Sequence, residues 1–214
     1  MTVLATDGLT FAYRHGTPPV IDDLTTAFAP GAVTAVTGPS GSGKSTLLYV
    51  LALMLRAESG EVLWDGEPAS GLADAEAARL RAAHVGFVFQ DAMLDPARSI
   101  LDNVCESALF AGMGTRAARS RAEELLARFG VGHRATHRPG EISGGQAQRV
   151  ALCRALLTSP RVLFGDEPTG NLDHASARVV WEALVEHARD GATVVVATHD
   201  EELAAEADHR LVLS

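Results

Sequence analysis

Lysine is almost absent from this chain of 214 residues. Of its 18 basic residues only Lys44 is a lysine, and all the others are arginine. Arginine carries a broad planar guanidinium, whereas lysine carries a compact point charge on a flexible stem. A position that keeps lysine against this background is therefore expected to need the compact ammonium group.

Basic charge, long apolar runs and cysteine are also scarce. The formal net charge of −9 argues against a nucleic-acid-binding surface. No run approaches the ~18 apolar residues of a membrane-spanning helix, and the first residues lack the pattern of a secretory signal. Cys105 and Cys153 have neither metal-ligand spacing nor a disulfide-rich context, which predicts reduced thiols in a cytosolic protein. The length and a 47% hydrophobic composition suit one domain over residues 1–214.

The lone lysine lies in a glycine-rich loop that matches the pattern G-x-x-x-x-G-K-[ST]. An apolar strand is predicted before the loop at 32–36 and a buried helix after it at 45–56, which is the order this motif requires. We expect the backbone N–H groups to surround phosphate oxygens, with Lys44 on the β- and γ-phosphates and Ser45 on Mg²⁺. The predicted phosphate-binding residues are Gly38, Pro39, Ser40, Gly41, Ser42, Gly43, Lys44, Ser45 and Thr46.

The rest of the chain alternates between strand and helix patterns. Short strands separated by turns occupy residues 3–36, and helical patterns dominate from about 91 to 158. Further strands are predicted at 60–65, 85–89, 161–165 and 193–198, and further helices at 73–83, 116–129, 146–157 and 175–189. This alternation predicts an α/β fold with a mostly parallel sheet and an inserted helical lobe.

Two carboxylates follow the apolar strand at 161–165. Asp166 and Glu167 come at a strand end, and beside a phosphate loop that position lets Asp166 hold Mg²⁺. Glu167 is then placed to orient and polarise an attacking water. An exposed acidic turn before Pro168 is the alternative if the glycine-rich loop is disregarded.

Residues 142–146, Ile-Ser-Gly-Gly-Gln, lie just before the predicted helix that ends near 157. A Ser-Gly-Gly turn at a helix N-terminus offers backbone N–H groups, a hydroxyl and the helix dipole to an anion. Taken alone, this turn is only a flexible helix cap. After the two preceding motifs, however, the chain resembles the ATP-binding cassette (ABC) family, whose signature usually reads Leu-Ser-Gly-Gly-Gln.

This resemblance implies an ABC ATPase fold, with an N-terminal antiparallel β subdomain and an inserted α-helical subdomain at about 91–158. It implies that two such subunits dimerise head to tail, so that each ATP lies between one phosphate loop and the partner's signature. The signature residues are Ser143, Gly144, Gly145 and Gln146.

Single residues also acquire roles from the resemblance. Glu167 is the expected general base, and His199 positions the γ-phosphate and the water. Gln90 joins Ser45 and Asp166 around Mg²⁺. Tyr13 is expected to stack on adenine, and Asp173 belongs to the loop after the second carboxylate.

The run Asp-Glu-Pro-Thr-Gly-Asn-Leu-Asp at 166–173 is similar to the lipoprotein-release and macrolide-exporter branch of the family. The implied function is the ATPase subunit of a transporter, attached to the cytoplasmic face of the membrane through an integral membrane permease. Signalling through a septal membrane protein in cell division is the alternative within the same branch. The transported substrate and its direction stay open.

A docking surface for the permease is predicted at 91–104, in a groove between the sheet lobe and the helical lobe. Met93, Leu94, Ile100 and Leu101 are the expected apolar contacts. The alternative is that these four side chains only pack the helical lobe.

Overall fold

The computed structural model of the protein describes residues 3–14 and 16–214. The strands are β1 (Leu4–Phe11), β2 (Ile21–Phe28), β3 (Val33–Thr37), β4 (Ser59–Trp64), β5 (Glu67–Pro68), β6 (Val85–Val88), β7 (Val162–Asp166), β8 (Thr193–Ala197) and β9 (His209–Val212). The α-helices are α1 (Lys44–Leu51), α2 (Asp74–His84), α3 (Ile100–Phe110), α4 (Thr115–Arg128), α5 (Gly144–Leu156), α6 (His174–Arg189) and α7 (Glu201–Ala205). Single 3-10 turns lie at Gly132–Arg134 and Pro139–Glu141.

The strands form two sheets. The first is antiparallel, in the order β2-β1-β4-β5, and the second is parallel, in the order β6-β7-β8-β3-β9. Helices α3, α4 and α5 are inserted between β6 and β7. The predicted fold class, a parallel α/β core with an antiparallel N-terminal β subdomain and a helical insertion, is confirmed.

Both faces of the parallel sheet are buried. In β8, Val194 and Val196 belong to the core that includes the inserted helices and α6. Their neighbours Val195 and Ala197 belong to the core under α1 and the antiparallel sheet. A central strand covered on both faces reads as a continuous apolar run, which is why 193–197 lacks an alternating pattern.

Helix α1 is shorter than the sequence predicts. It ends at Leu51 rather than at Arg56, and Leu53 adopts a left-handed backbone with φ 56°. The apolar pattern continues past the end of the helix because Leu53 and Leu55 still pack against the core under the antiparallel sheet. The apolar residues after Leu51 are therefore explained by their burial, and not by continuation of the helix.

Helix α3 corrects part of the predicted docking surface. Ile100 is fully buried and Leu101 is 6% exposed, and both pack in the core of the inserted helices. The expectation that these two side chains contact a permease is therefore wrong, and the alternative, packing of the helical lobe, holds for them. Leu94 is partly buried against the same core, whereas Met93 is 65% exposed.

Candidate functional site

The carboxyl ends of four parallel strands bring the predicted site residues to one edge of the sheet. The phosphate loop follows β3, Gln90 follows β6, Asp166 ends β7 and His199 comes soon after β8. These strands are neighbours in the order β6-β7-β8-β3. Ligands of open parallel sheets bind at this edge, because the loops and helix N-termini that follow the strands converge there.

At two positions of the phosphate loop, the backbone conformation and the close packing allow only glycine. Gly43 has φ 91°, and a Cβ there would lie 2.7 Å from Val20 Cγ1. Gly38 has φ 149°, and a Cβ there would collide with the carbonyl oxygen of Leu213. Glycine is therefore required at both positions by close packing of the loop against Val20 and Leu213.

Helix α1 begins inside this loop, at Lys44. The first turn of an α-helix has N–H groups without intrahelical acceptors, and these groups attract anions. Ser42 Oγ is buried nearby and has no hydrogen-bond partner in the described part of the chain. The ammonium group of Lys44 donates to the carbonyl oxygens of Gly38 at 2.9 Å and Pro39 at 3.0 Å.

Asp166 is held by two hydroxyl groups of α1. Ser45 Oγ donates to Oδ1 at 2.7 Å, and the Tyr49 hydroxyl donates to Oδ2 at 2.9 Å. The Asp166 residue is only 6% exposed. Burial, helped by the hydrogen bond to Asp166, raises the pKa of Tyr49 to about 12.

Tyr49 was missed in the sequence, where it looks like one more apolar residue of a buried helix. The spacing of Tyr49 from Ser45 could have indicated its role, because residues four apart lie on the same face of a helix. A hydroxyl on each of two successive turns can then reach the same carboxylate.

Glu167 and His199 are in direct contact. Oε2 of Glu167 lies 2.8 Å from Nδ1 of His199, and the backbone N–H of His199 donates to the same oxygen at 3.3 Å. A carboxylate only accepts hydrogen bonds, so Nδ1 carries the proton of this contact. Glu167 also has a left-handed backbone with φ 47°, an uncommon conformation for a residue with a side chain.

The signature turn is held by its own helix. Ser143 is the N-cap of α5, where its Oγ accepts from the Gln146 N–H at 3.3 Å. The Ser143 N–H donates in return to Oε1 of Gln146 at 3.1 Å, which completes a capping box. Ser143 and Gly144 are exposed.

Helix α6 begins beside this turn. A Cβ on Gly145 would lie 2.9 Å from Ser176 Oγ, so the two helix N-termini approach closely. Asp173 caps α6 by accepting from the N–H and from the hydroxyl of Ser176, each at 2.9 Å. These hydrogen bonds hold the pKa of Asp173 below its usual value.

Two predicted site residues, Tyr13 and Gln90, are exposed and make few hydrogen bonds. Tyr13 is 64% exposed, and its hydroxyl lies 2.8 Å from Thr46 Oγ1, so its ring borders the phosphate loop. Gln90 is exposed and makes no hydrogen bond within the described residues. Adenine stacking by Tyr13 and metal binding by Gln90 both remain predictions.

These groups suit a triphosphate and a hard divalent cation. The glycine backbone, the free N–H groups of α1, the unpartnered Ser42 hydroxyl and Lys44 suit phosphate oxygens. Ser45 and Asp166 together present the oxygen ligands that Mg²⁺ prefers. Across the residues described, no three His, Cys, Asp or Glu side chains form a metal-binding group of their own.

Comparison with known proteins gives one family. The profile of the ABC transporter family matches residues 21–170. The chain is 42% identical over 214 residues to the lipoprotein-releasing system ATP-binding protein LolD of Paramagnetospirillum magneticum, covering 99% of this chain and 95% of that protein. It is 45% identical over 197 residues to the macrolide export ATP-binding/permease protein MacB of Rhodopseudomonas palustris, covering 92% of this chain and 30% of that protein.

A solved structure with the same fold is the dimeric ATP-binding cassette MJ0796 in a post-hydrolysis state, bound to ADP and Pi. It superimposes with a TM-score of 0.90 at 32% identity, covering 99% of this chain and 94% of that one. The antiparallel subdomain, the parallel sheet and the inserted helices are thus all shared with a nucleotide-bound protein.

Proposed function

The chain belongs to the ABC transporter family, and we propose that it hydrolyses ATP as the subunit that drives a separate membrane permease. The observation that carries this proposal is the assembly of two groups at one sheet edge. One is the phosphate loop with Ser45 bonded to Asp166, and the other is the Glu167–His199 pair. Its relatives place it in the lipoprotein-release and macrolide-export branch.

The phosphate loop binds the triphosphate. The N–H groups at the start of α1 point to the phosphate oxygens, and Lys44 turns from the carbonyl oxygens of Gly38 and Pro39 to the phosphates. Tyr13 borders the loop on its exposed side and stacks on the base. The binding energy comes mostly from fixed dipoles and from one compact positive charge.

Ser45, Asp166 and Gln90 hold Mg²⁺, which when bound neutralises charge on the β- and γ-phosphate oxygens. Tyr49 donates to Oδ2 of Asp166 and so turns the carboxylate toward Ser45. Because the pKa of Tyr49 is raised to about 12, this hydroxyl keeps its proton throughout the physiological pH range.

Glu167 accepts the proton of the attacking water. His199 holds Oε2 through two N–H groups, and this leaves Oε1 for the water. The left-handed backbone of Glu167 fixes the direction of the side chain. Positioning of this kind supplies most of the catalysis in phosphoryl transfer.

A head-to-tail dimer completes the site. Ser143 and Gly144 are exposed at a helix N-terminus, where backbone N–H groups and a hydroxyl can bind an anion. The related cassette of 32% identity is dimeric with ADP and Pi. In this proposal the signature turn contacts the γ-phosphate held by the partner's phosphate loop.

Replacing Glu167 by Gln tests the chemistry. The amide cannot take a proton from water, so ATP hydrolysis should fall by roughly 10²- to 10⁴-fold while ATP binding persists. The variant should accumulate as an ATP-dependent dimer on size-exclusion chromatography. Glu182→Gln, an exposed residue of α6, is the matched control and should hydrolyse at the parental rate. A parental rate in Glu167→Gln places the general base elsewhere.

The permease docks in an apolar groove between the two lobes, although the predicted segment 91–104, including Met93 and Leu94, does not line this groove. This groove has a volume of about 630 Å³ and lies between α2, β6, α3 and α5. Met54, Phe87, Phe89 and Phe110 supply much of its lining. The relative MacB is an ATP-binding/permease protein, and this chain matches 30% of its length. None of the helices described is long and apolar enough to span a membrane.

Two neighbouring residues of α3 test the groove. Phe110 is 73% exposed and lines it, whereas Leu109 is 68% exposed and lines a different hollow against α4. Phe110→Glu should abolish co-purification with the permease from solubilised membranes and leave the ATPase rate of the isolated chain unchanged. Leu109→Glu should keep the complex. Equal retention of the permease by both variants removes the groove from the proposal.

A further inference from the structure

Two side chains of helix α5 form hydrogen bonds to the segment 89–93, one at each end of the segment. This segment leaves β6 and carries Gln90. Nε2 of Gln148 donates to the carbonyl oxygen of Phe89 at 2.7 Å. The guanidinium of Arg154 donates to the carbonyl oxygens of Ala92 and Met93, each at 2.9 Å.

These are not ordinary surface contacts. Gln148 is 3% exposed, so its amide is buried and bonded to one specific carbonyl group. Burial lowers the pKa of Arg154, and its guanidinium is nevertheless directed at two successive backbone carbonyls instead of a carboxylate. Hydrogen bonds from a charged donor are stronger than neutral ones.

The segment would not hold this shape by itself. Met93 has a left-handed backbone with φ 46°, which is unfavourable for a residue with a side chain. Ser107 Oγ donates to the carbonyl oxygen of Arg154 at 2.9 Å, so α3 supports the helix at the same place. The loop geometry around Gln90 thus depends on contacts from outside the loop.

The same helix begins at the signature turn. Ser143 is its N-cap, and Gln148 and Arg154 follow one and three turns later. A helix of 13 residues is about 20 Å long and behaves as a stiff rod. Both anchors of the segment that carries Gln90 therefore belong to one rigid element.

We propose that Gln148 and Arg154 are positioning residues for Gln90: by holding the two ends of the segment 89–93, they keep this side chain beside the cation site. This inference rests on the proposed function, in which Gln90 is a ligand of Mg²⁺. Without the hydrogen bonds from Gln148 and Arg154, the segment would no longer hold Gln90 toward Ser45 and Asp166.

Binding of Mn²⁺ in place of Mg²⁺ tests the proposal directly. Electron paramagnetic resonance counts free Mn²⁺ during titration of ATP-loaded protein, in a Glu167→Gln background that preserves the ATP. Arg154→Met and Gln148→Met should each weaken Mn²⁺ binding by about fivefold or more, the equivalent of one lost hydrogen bond. Binding of ATP without a divalent cation should stay within twofold of the parent.

Arg121→Met is the matched control. Arg121 donates to the carbonyl oxygen of Leu157 at 2.8 Å and to Ser159 Oγ at 2.6 Å, but it does not touch the segment 89–93. This variant should lower the melting temperature without changing Mn²⁺ binding. Arg154→Lys, which keeps the charge and can reach one carbonyl, should recover part of the Mn²⁺ affinity.

Gln90→Ala distinguishes the role of Gln90 as a metal ligand from the positioning role of Gln148 and Arg154. If Gln90→Ala weakens Mn²⁺ binding and the Arg154 and Gln148 variants do not, the positioning role is overturned and the metal site stands. If Gln90→Ala itself has no effect on Mn²⁺ binding, the assignment of Gln90 as a ligand fails first. If Arg121→Met weakens Mn²⁺ binding as much as Arg154→Met, the effect is general destabilisation and the positioning role is again overturned.

Discussion

The phosphate loop and the signature turn both lie at helix N-termini and are both anion sites in the proposed function, yet they are held in different ways. The phosphate loop depends on distant partners, because Ser45 bonds to Asp166, 121 positions away, and Thr46 contacts Tyr13. The signature turn depends on its own helix, through the capping box between Ser143 and Gln146. One half of the site therefore requires the whole fold, and the other half requires little more than a helix start.

This difference explains how one chain can supply two unlike half-sites. A half-site built from long-range bonds is complete within a folded subunit and can hold its ligand before any partner arrives. A half-site built from an exposed cap offers the N–H groups of its own helix start and a hydroxyl. In the proposed dimer, a second molecule brings the phosphate to it.

The largest expected effect is at the phosphate loop. Lys44→Ala should remove ATP binding and lower hydrolysis by about 100-fold or more, because the loop loses its only compact positive charge. Lys44→Arg should fail as well, because the broad guanidinium does not fit where the ammonium group lies. Equilibrium binding of a fluorescent ATP analogue and phosphate release measure both variants. Near-parental turnover with arginine contradicts the requirement for lysine.

A smaller loss of hydrolysis is expected from a change at the signature turn. Ser143→Arg should leave ATP binding to the monomer within twofold and block the ATP-dependent dimer, so that hydrolysis falls by about tenfold or more. Ser120→Arg, on the exposed side of α4, is the control for an added arginine. Light scattering with and without ATP reports dimerisation. Loss of ATP binding in the Ser143→Arg monomer would show that the two half-sites are not separable.

Tyr49 provides another test of this difference, because its hydroxyl supports the half-site around the phosphate loop and not the signature turn. Tyr49→Phe removes the hydrogen bond to Oδ2 of Asp166 and should lower the free energy of unfolding by about 1 kcal/mol. Chemical denaturation at pH 7 measures this loss. Dimerisation through the signature turn should be unchanged.

The same hydroxyl makes a pH-dependent prediction. The pKa of Tyr49 is about 12, above the ordinary value of 10.0. Its contribution to stability is therefore complete below about pH 10 and is lost as the pH rises through about 12. Ultraviolet titration of the folded protein should show an ionisation near pH 12 that is missing in Tyr49→Phe. If the ionisation that disappears in Tyr49→Phe lies near pH 10 instead, the pKa of Tyr49 is not raised and this prediction is wrong.

The smallest effect concerns the thiol on the signature helix. Burial raises the pKa of Cys153 to about 12, so very little of the reactive thiolate is present at pH 8. Iodoacetamide should label Cys153 only after unfolding, whereas the partly exposed Cys105 should be labelled slowly in the native protein. Mass spectrometry of peptides distinguishes the two. Rapid native labelling of Cys153 would mean that α5 separates readily from the core.

Local patterns predicted the elements that carry the site. The helix predicted at 146–157 is observed at Gly144–Leu156, and the one predicted at 175–189 at His174–Arg189. Both begin at strong N-caps, Ser143 and Asp173, which a sequence displays directly. Strands β7 and β8 were equally clear, because central parallel strands are continuous apolar runs.

Other elements were not visible. Helix α7 has five residues and β9 is a mostly exposed edge strand, so neither has enough apolar periodicity to stand out. In the helical insertion, the apolar residues Ile100 and Leu101 were read as surface contacts. The helix α3 that buries them is started by Ser99 and stabilised by the fully buried Asn103, and these contacts were not foreseen.

The sequence by itself determined the chemistry of this protein. A lysine kept in a glycine loop, two carboxylates after an apolar strand and a Ser-Gly-Gly helix cap are patterns of neighbouring residues, and neighbours remain neighbours in any fold. The tertiary structure alone decided that Tyr49 shares Asp166 with Ser45, that His199 holds Oε2 of Glu167, and that Gln148 and Arg154 grip the segment around Gln90. These contacts join residues far apart in the chain, and only the packing of sheets and helices brings such residues within hydrogen-bonding distance.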